Sequence, residues 1–241
     1  MRNFKVLFLI LFLSACAIQQ SNSSKLETKQ IASLSERYIG NELNNSLQWL
    51  GIPYAQPPEG SLRWKAPRAL KKNDKQIKAF DFGNPCPQLA SISIDRREGG
   101  EYIGSEDCLY LNVFTPKNLD SNKKLPVMFW IHGGGNTSGE AGSYDFSKLA
   151  AAHDLVIVSV NYRLGFLGWF YHPSFAATSN SLEDKSGNFG TLDQIMALKW
   201  VRDNIEDFGG DKNNVTIFGE SAGGHNVFAL LSSKLATGLF H

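Results

Sequence analysis

What the chain lacks narrows it first. No apolar stretch is long enough to span a bilayer: the run from Val6 to Leu13 falls well short of the ~20 residues a membrane helix needs. Neither sign of charge is in excess, with 24 Lys and Arg against 23 Asp and Glu for a net +1. That balance offers no electrostatic footprint for nucleic acid or for an acidic polymer. There is no internal repeat and no long low-complexity tract, which sets aside solenoids and disordered tails. What remains is 42% hydrophobic and 20% charged over 241 residues, the balance of a folded globular chain with room for one large domain or two small ones.

Cysteine is also scarce, with three in all, and their setting points to export. Met1-Arg2-Asn3-Phe4-Lys5 is a basic opening, Val6–Leu13 is apolar, and small residues follow; that is the order of a secretory signal. Leu13-Ser14-Ala15-Cys16 also resembles the lipobox of bacterial lipoproteins, which implies lipidation at Cys16 and a membrane anchor. The alternative is ordinary cleavage after Ala15-Cys16-Ala17 and a secreted or periplasmic product. The expected division is 1–16 as signal peptide with lipobox, 17–45 as polar tether and N-terminal lead-in, and 46–241 as an incomplete folded domain. With Cys16 lipidated or removed, Cys86 and Cys108 remain, an even number in an oxidising compartment. They form either one bridge or two buried thiols.

The stretch that carries chemistry is Val215-Thr216-Ile217-Phe218-Gly219-Glu220-Ser221-Ala222-Gly223-Gly224. A short β-branched and aromatic run predicts a strand, Gly-x-Ser-x-Gly predicts a sharp turn, and residues 226–233 read as a helix. A strand–turn–helix context makes that motif a nucleophile elbow, with Ser221 held out at the carboxyl end of a strand. The Ala222 N–H then sits at a helix N-terminus, where it can face a developing oxyanion. The rival is a tight glycine turn with an incidental serine.

Upstream, the apolar run Val127–Ile131 predicts a buried strand feeding His132-Gly133-Gly134-Gly135. This is an HGGG-type element that can offer further backbone donors. Val156–Val160 predicts a second buried strand, preceded by a short helix over 147–152. Alternating Leu109, Leu111 and Val113 predict another strand, joined to the first by a hairpin-like turn over 118–124. Trp49–Ala55 reads as a strand, and Thr191–Phe208 as the clearest helix, ended by Gly209-Gly210. Strands alternating with helices argue for an α/β sheet.

At this point the chain resembles the N-terminal part of the type-B carboxylesterases, the α/β-hydrolase family that includes the cholinesterases. The matching stretches are Leu50-Gly51-Ile52-Pro53-Tyr54-Ala55, Glu106–Asn112, Trp130–Gly135, Asn161-Tyr162-Arg163-Leu164-Gly165, Gly187–Gly190 with Leu192-Asp193-Gln194, and Phe208–Gly224. They occur in the family's order from about Trp49 onward. The resemblance implies an α/β-hydrolase fold, its N-terminal portion of a mixed central sheet with flanking helices. It implies a serine hydrolase of carboxylic esters, with Ser221 as the acylated nucleophile and Gly134, Gly135 and Ala222 forming the oxyanion hole. It implies a Cys86–Cys108 disulfide and two buried ion pairs, Arg63 with Glu106 and Arg163 with Asp193. No cofactor and no metal are expected, and the partners are a small-molecule ester and the membrane.

One absence departs from the pattern. In this fold the acid and the histidine of the triad follow the serine, yet no Asp or Glu follows Ser221, and the histidines there are His225 and His241. His225 lies on the helix that leads away from the elbow and His241 is the last residue. His132 belongs to the glycine loop, and His153 and His172 have no catalytic context. The expectation is therefore a chain truncated before the triad acid and His, weakly active or inactive alone, with the missing half packing on it. A non-catalytic cholinesterase-like binding module and a non-functional truncated product are the alternatives. Asn136, after the glycine loop, suggests a polar approach to the site.

Overall fold

A computed structural model describes residues 29–32, 37–71, 75–90, 100–120, 122–177, 179 and 181–241. The signal segment, Cys16 and the start of the tether lie outside the described residues. Seven strands form the path of the main sheet: β1 (Lys29–Ala32), β2 (Tyr38–Glu42), β3 (Ser46–Pro53), β4 (Tyr110–Pro116), β5 (Leu125–Ile131), β6 (Val156–Val160) and β7 (Gly210–Gly219). Their spatial order is β1-β2-β3-β4-β6-β5-β7, with the short strand Ile77–Lys78 added parallel to β2. From β1 to β6 the neighbours are antiparallel. From β6 through β5 to β7 they are parallel.

Two of these strands fall inside 17–45, the stretch read as tether and lead-in. Lys29–Ala32 and Tyr38–Glu42 pair with each other and join β3. They are short and of mixed polarity, so they carry too little alternation to be read as strands without a partner. The connection over 118–124 does not close a hairpin, because β6 lies between the two strands it joins. All five residues of β6 are buried. A strand apolar on both faces belongs in the middle of a sheet, so it displaces the pairing that proximity in sequence suggested.

Helices α1 (Ser147–His153) and α2 (Phe189–Asn204) cover opposite faces. Phe114, Ile157 and Ala150 cluster on one side, with Phe146 packed against them. Val127, Phe129, Ile131, Leu192, Ile195, Leu198 and Val201 belong to the larger core on the other. The α2 segment ends in a 3-10 turn, Ile205–Phe208, and Gly209 closes it at φ +80°. A glycine takes that left-handed conformation without a Cβ clash. The Cys86–Cys108 disulfide is formed; closing a loop of this length stabilises by about 3 kcal/mol in the chain-entropy view.

The two ion pairs both form, but only one is buried. Arg163 and Asp193 are 3% and 0% exposed, whereas Arg63 and Glu106 are 41% and 22% exposed. The expectation of two buried pairs is corrected for Arg63–Glu106: Arg63 follows a surface 3-10 turn, Gly60–Leu62, that has no buried residue.

Candidate active site

The elbow is built as the motif requires. β7 ends at Gly219, Ser221 stands at φ +53° and ψ −119°, and α3 (Ala222–Ser232) begins at the next residue. A non-glycine residue there carries strain on the order of 1–3 kcal/mol, which the surrounding packing must hold. A side chain at Gly219 would collide with the backbone of Gly223 and the Ile131 carbonyl; one at Gly223 would strike the carbonyls of Ile131 and His132. The elbow is thus pressed onto the end of β5, the strand that feeds the glycine loop. At Gly133 an added Cβ would strike Glu220 and lie 3.2 Å from the Ser221 Cβ. Two motifs almost ninety residues apart in sequence are in direct contact.

The loop's carbonyls are anchored on its far side. The Gly133 carbonyl accepts from His132 Nδ1 at 2.8 Å, which places the ring proton on Nδ1. The Gly134 carbonyl accepts from the backbone N–H groups of Thr137 and Ser138 at 3.1 and 3.0 Å, and from the Ser138 hydroxyl at 3.1 Å. Gly134 and Gly135 adopt φ +98° and +64°. In a trans peptide the C=O and the following N–H point in opposite directions. The N–H groups of Gly134 and Gly135 therefore face away from these anchors, and like that of Ala222 they have no acceptor among the described residues.

His132 is buried and stacked on Tyr162, with ring centroids 4.4 Å apart and planes 18° from parallel. Burial pulls its pKa down to about 4, against the opposing effect of the Gly133 bond, so it is neutral at neutral pH and its Nδ1 is committed. Tyr162 donates to the His132 carbonyl at 2.6 Å, and burial pushes its phenol well up.

His225 is exposed. Its backbone N–H donates to the Ser221 carbonyl at 3.1 Å, and its side chain lines a groove of about 680 Å³ walled by Trp169, Leu182, Leu192 and Leu235. His241 lies beside β7, its N–H donating to the Val215 carbonyl at 2.9 Å and its Nδ1 accepting from the Val215 N–H at 3.2 Å. Among the described residues no side chain hydrogen-bonds the Ser221 hydroxyl, and no group of His, Cys, Asp and Glu could hold a metal. A depression of about 760 Å³ lined by Asn44, Lys117 and Lys148 lies toward the amino ends of the parallel strands and shares no residue with the elbow.

Asn136, from which a polar approach was expected, has its amide engaged by α3. Its backbone takes φ +58°, and its Oδ1 accepts from Asn226 Nδ2 at 2.9 Å. The amide is turned onto α3. Asn226 and Tyr162 were not singled out for the site from sequence, and no local signal could have found them. Helix periodicity marks Asn226 only as a polar residue in a helix, and its partner is 90 positions away.

The sheet, the elbow and the glycine loop together define an α/β hydrolase. The carboxylesterase family model matches residues 26–241, and the chain belongs to that family. It is 48% identical over 205 residues to the para-nitrobenzyl esterase of Bacillus subtilis strain 168, covering 83% of this chain and 40% of that protein. It is 46% identical over 200 residues to carboxylesterase 1D of Rattus norvegicus, covering 80% of this chain and 34% of that one. Among solved structures, a PNB esterase superposes with a TM-score of 0.75 at 45% identity, over 84% of this chain and 40% of that one. The carboxylesterase EST55 of Geobacillus stearothermophilus gives 0.71 at 39% identity, over 85% and 41%. The chain thus spans between 34% and 41% of the length of these relatives.

Proposed function

We propose that this protein is a serine hydrolase of carboxylic esters, acting through an acyl-enzyme on Ser221. The observation that carries the reading is the contact between the strained Ser221 turn and a glycine loop with unpaired N–H groups. Ser221 Oγ attacks the ester carbonyl carbon, and the carbonyl electron pair moves onto oxygen. The N–H groups of Gly134, Gly135 and Ala222 receive that oxyanion. Each such donor is worth about 10²–10³ in kcat. The oxyanion collapses, the alcohol leaves with a proton, and water repeats the attack to release the acid.

A base must take the Ser221 proton. His132 is unsuited, because burial lowers its pKa to about 4 and so makes it a weak base, and its Nδ1 is bonded to the Gly133 carbonyl; His225 meets Ser221 through its backbone. The base and the acid that orients it are assigned to a segment corresponding to the greater part of the relatives' length that this chain does not match. Export with a lipid anchor at Cys16 is part of the same proposal; among the described residues no helix is long and apolar enough to cross a membrane.

Fluorophosphonate labelling of membranes from the source cell tests this, followed by sizing of the band and sequencing of the tagged peptide. Label is expected on Ser221 in a protein that hydrolyses nitrophenyl esters, with Ser221→Ala losing both label and turnover. Turnover unchanged by Ser221→Ala would refute the reading.

A further inference from the structure

Between the glycine loop and the elbow helix lies a polar bridge with no part in the chemistry just described. Asn136 is the residue after Gly135, and Asn226 is four residues after Ala222, one turn along α3. Asn226 Nδ2 donates to Asn136 Oδ1 at 2.9 Å, and the reverse contact, Asn136 Nδ2 to Asn226 Oδ1, is 3.5 Å. Asn226 is 4% exposed. The Tyr162 hydroxyl donates to the His132 carbonyl. The Gly133–Gly135 loop is therefore held on its His132 side by Tyr162, whose hydroxyl also lies 3.5 Å from Asn136 Oδ1, and from α3 through the Asn136–Asn226 pair.

We propose that Asn136 and Asn226 are positioning residues that fix the distance between the two sources of oxyanion donors. One source is the loop and the other is the N-terminus of α3. These are separate pieces of chain, and a hydrogen bond to an oxyanion weakens steeply when its donor is displaced or tilted. Gly134 and Gly135 have no side chains with which to wedge themselves in place. An amide pair fits the task, because it is directional and closes without introducing a charge near the developing oxyanion. Burial makes it costly for the Asn226 amide to be left without its partner. The inference rests on the esterase reading for its catalytic consequence, while the clamp itself is a statement about the loop.

The experiment compares the full-length protein with Asn226→Ala, Asn136→Gly and the double variant, using nitrophenyl ester kinetics and hydrogen exchange of the peptide spanning 132–139. Glycine at 136 keeps the positive φ while removing the amide. Each single variant is expected to lose about 10- to 100-fold in kcat with little change in KM, as for an interaction made in the transition state. The double variant is expected to fall no further than the worse single, since a pair acting as one unit is non-additive. Exchange in the loop should rise while α2 stays protected. Retained kcat, losses that multiply, or unchanged loop exchange would each overturn the proposal. If the parent protein turns over no ester, the esterase reading fails, and loop exchange in Asn226→Ala alone decides the clamp.

Discussion

Arg163–Asp193 and Arg63–Glu106 are the same chemical pair in two places, and their surroundings give them different work. Arg163 donates to both Asp193 oxygens, through Nε at 2.8 Å and NH2 at 2.7 Å, and its backbone N–H adds a third bond at 3.0 Å. Its NH1 reaches the Lys65 carbonyl at 2.8 Å. Every polar group in this pair is out of water and answered. Arg63 also forks onto both Glu106 oxygens, but its side chain is 41% exposed, so water competes for each bond. Arg68–Asp184 stands between them, with a half-buried arginine and an aspartate side chain only 8% exposed. Burial, rather than the fork geometry common to the outer two, is what separates a pair that organises the fold from one that decorates it. Near Glu106 the covalent Cys86–Cys108 link supplies the constraint that the exposed pair cannot.

The largest expected effect is at the buried end. Asp193→Asn leaves a buried guanidinium uncompensated and should cost about 3–5 kcal/mol, a fall in Tm on the order of 10 °C for a domain of this size. Replacing both residues together, as Arg163→Met with Asp193→Leu, should cost less than the single change. If urea denaturation shows the double variant to be the worse, the pair is stabilising in itself and the desolvation argument fails.

The intermediate pair should show its rank through pH. Burial alone would raise the Asp184 pKa, but donation from Arg68, the Ala66 N–H and the Ser179 hydroxyl outweighs it and holds the carboxyl below its usual value. The folded value thus lies below the unfolded one, so this stabilisation is complete above about pH 4 and lost as pH falls through the folded value. Asp184→Asn should cost on the order of 1–3 kcal/mol at pH 7, and the gap from the parent should narrow as denaturation is repeated towards pH 3. A gap that widens on acidification would reverse the assignment. The smallest effect belongs to Glu106→Gln, which should leave Tm within about 2 °C and be insensitive to added salt beyond that margin. A drop matching that of Asp193→Asn would remove the contrast between the two regions.

Much of this was legible along the chain because the information was local. Val156–Val160 is apolar at four of its five positions, Ser159 being the exception, and became a strand with those bounds. Gly-Glu-Ser-Ala-Gly after a β-branched run became a turn with Ser221 at positive φ, because Gly219 and Gly223 permit a packing that any side chain would block. The glycine loop was likewise visible, as backbone donors need bare backbone beside them. By contrast, the polar strands Lys29–Ala32 and Tyr38–Glu42 were hidden in the lead-in, and the order of β4, β6 and β5 could not be read from adjacency.

What the sequence by itself determined, then, is the set of parts: buried strands, a sharp Gly-x-Ser-x-Gly turn and a glycine loop. Each follows from short-range sterics and hydrophobic periodicity within a few residues. Only the tertiary structure decided which ion pair is dry, that Gly133 rests on Ser221, and that Asn136 grips Asn226. Those outcomes depend on which surfaces lose water when distant segments meet, and no pattern within one segment carries that information.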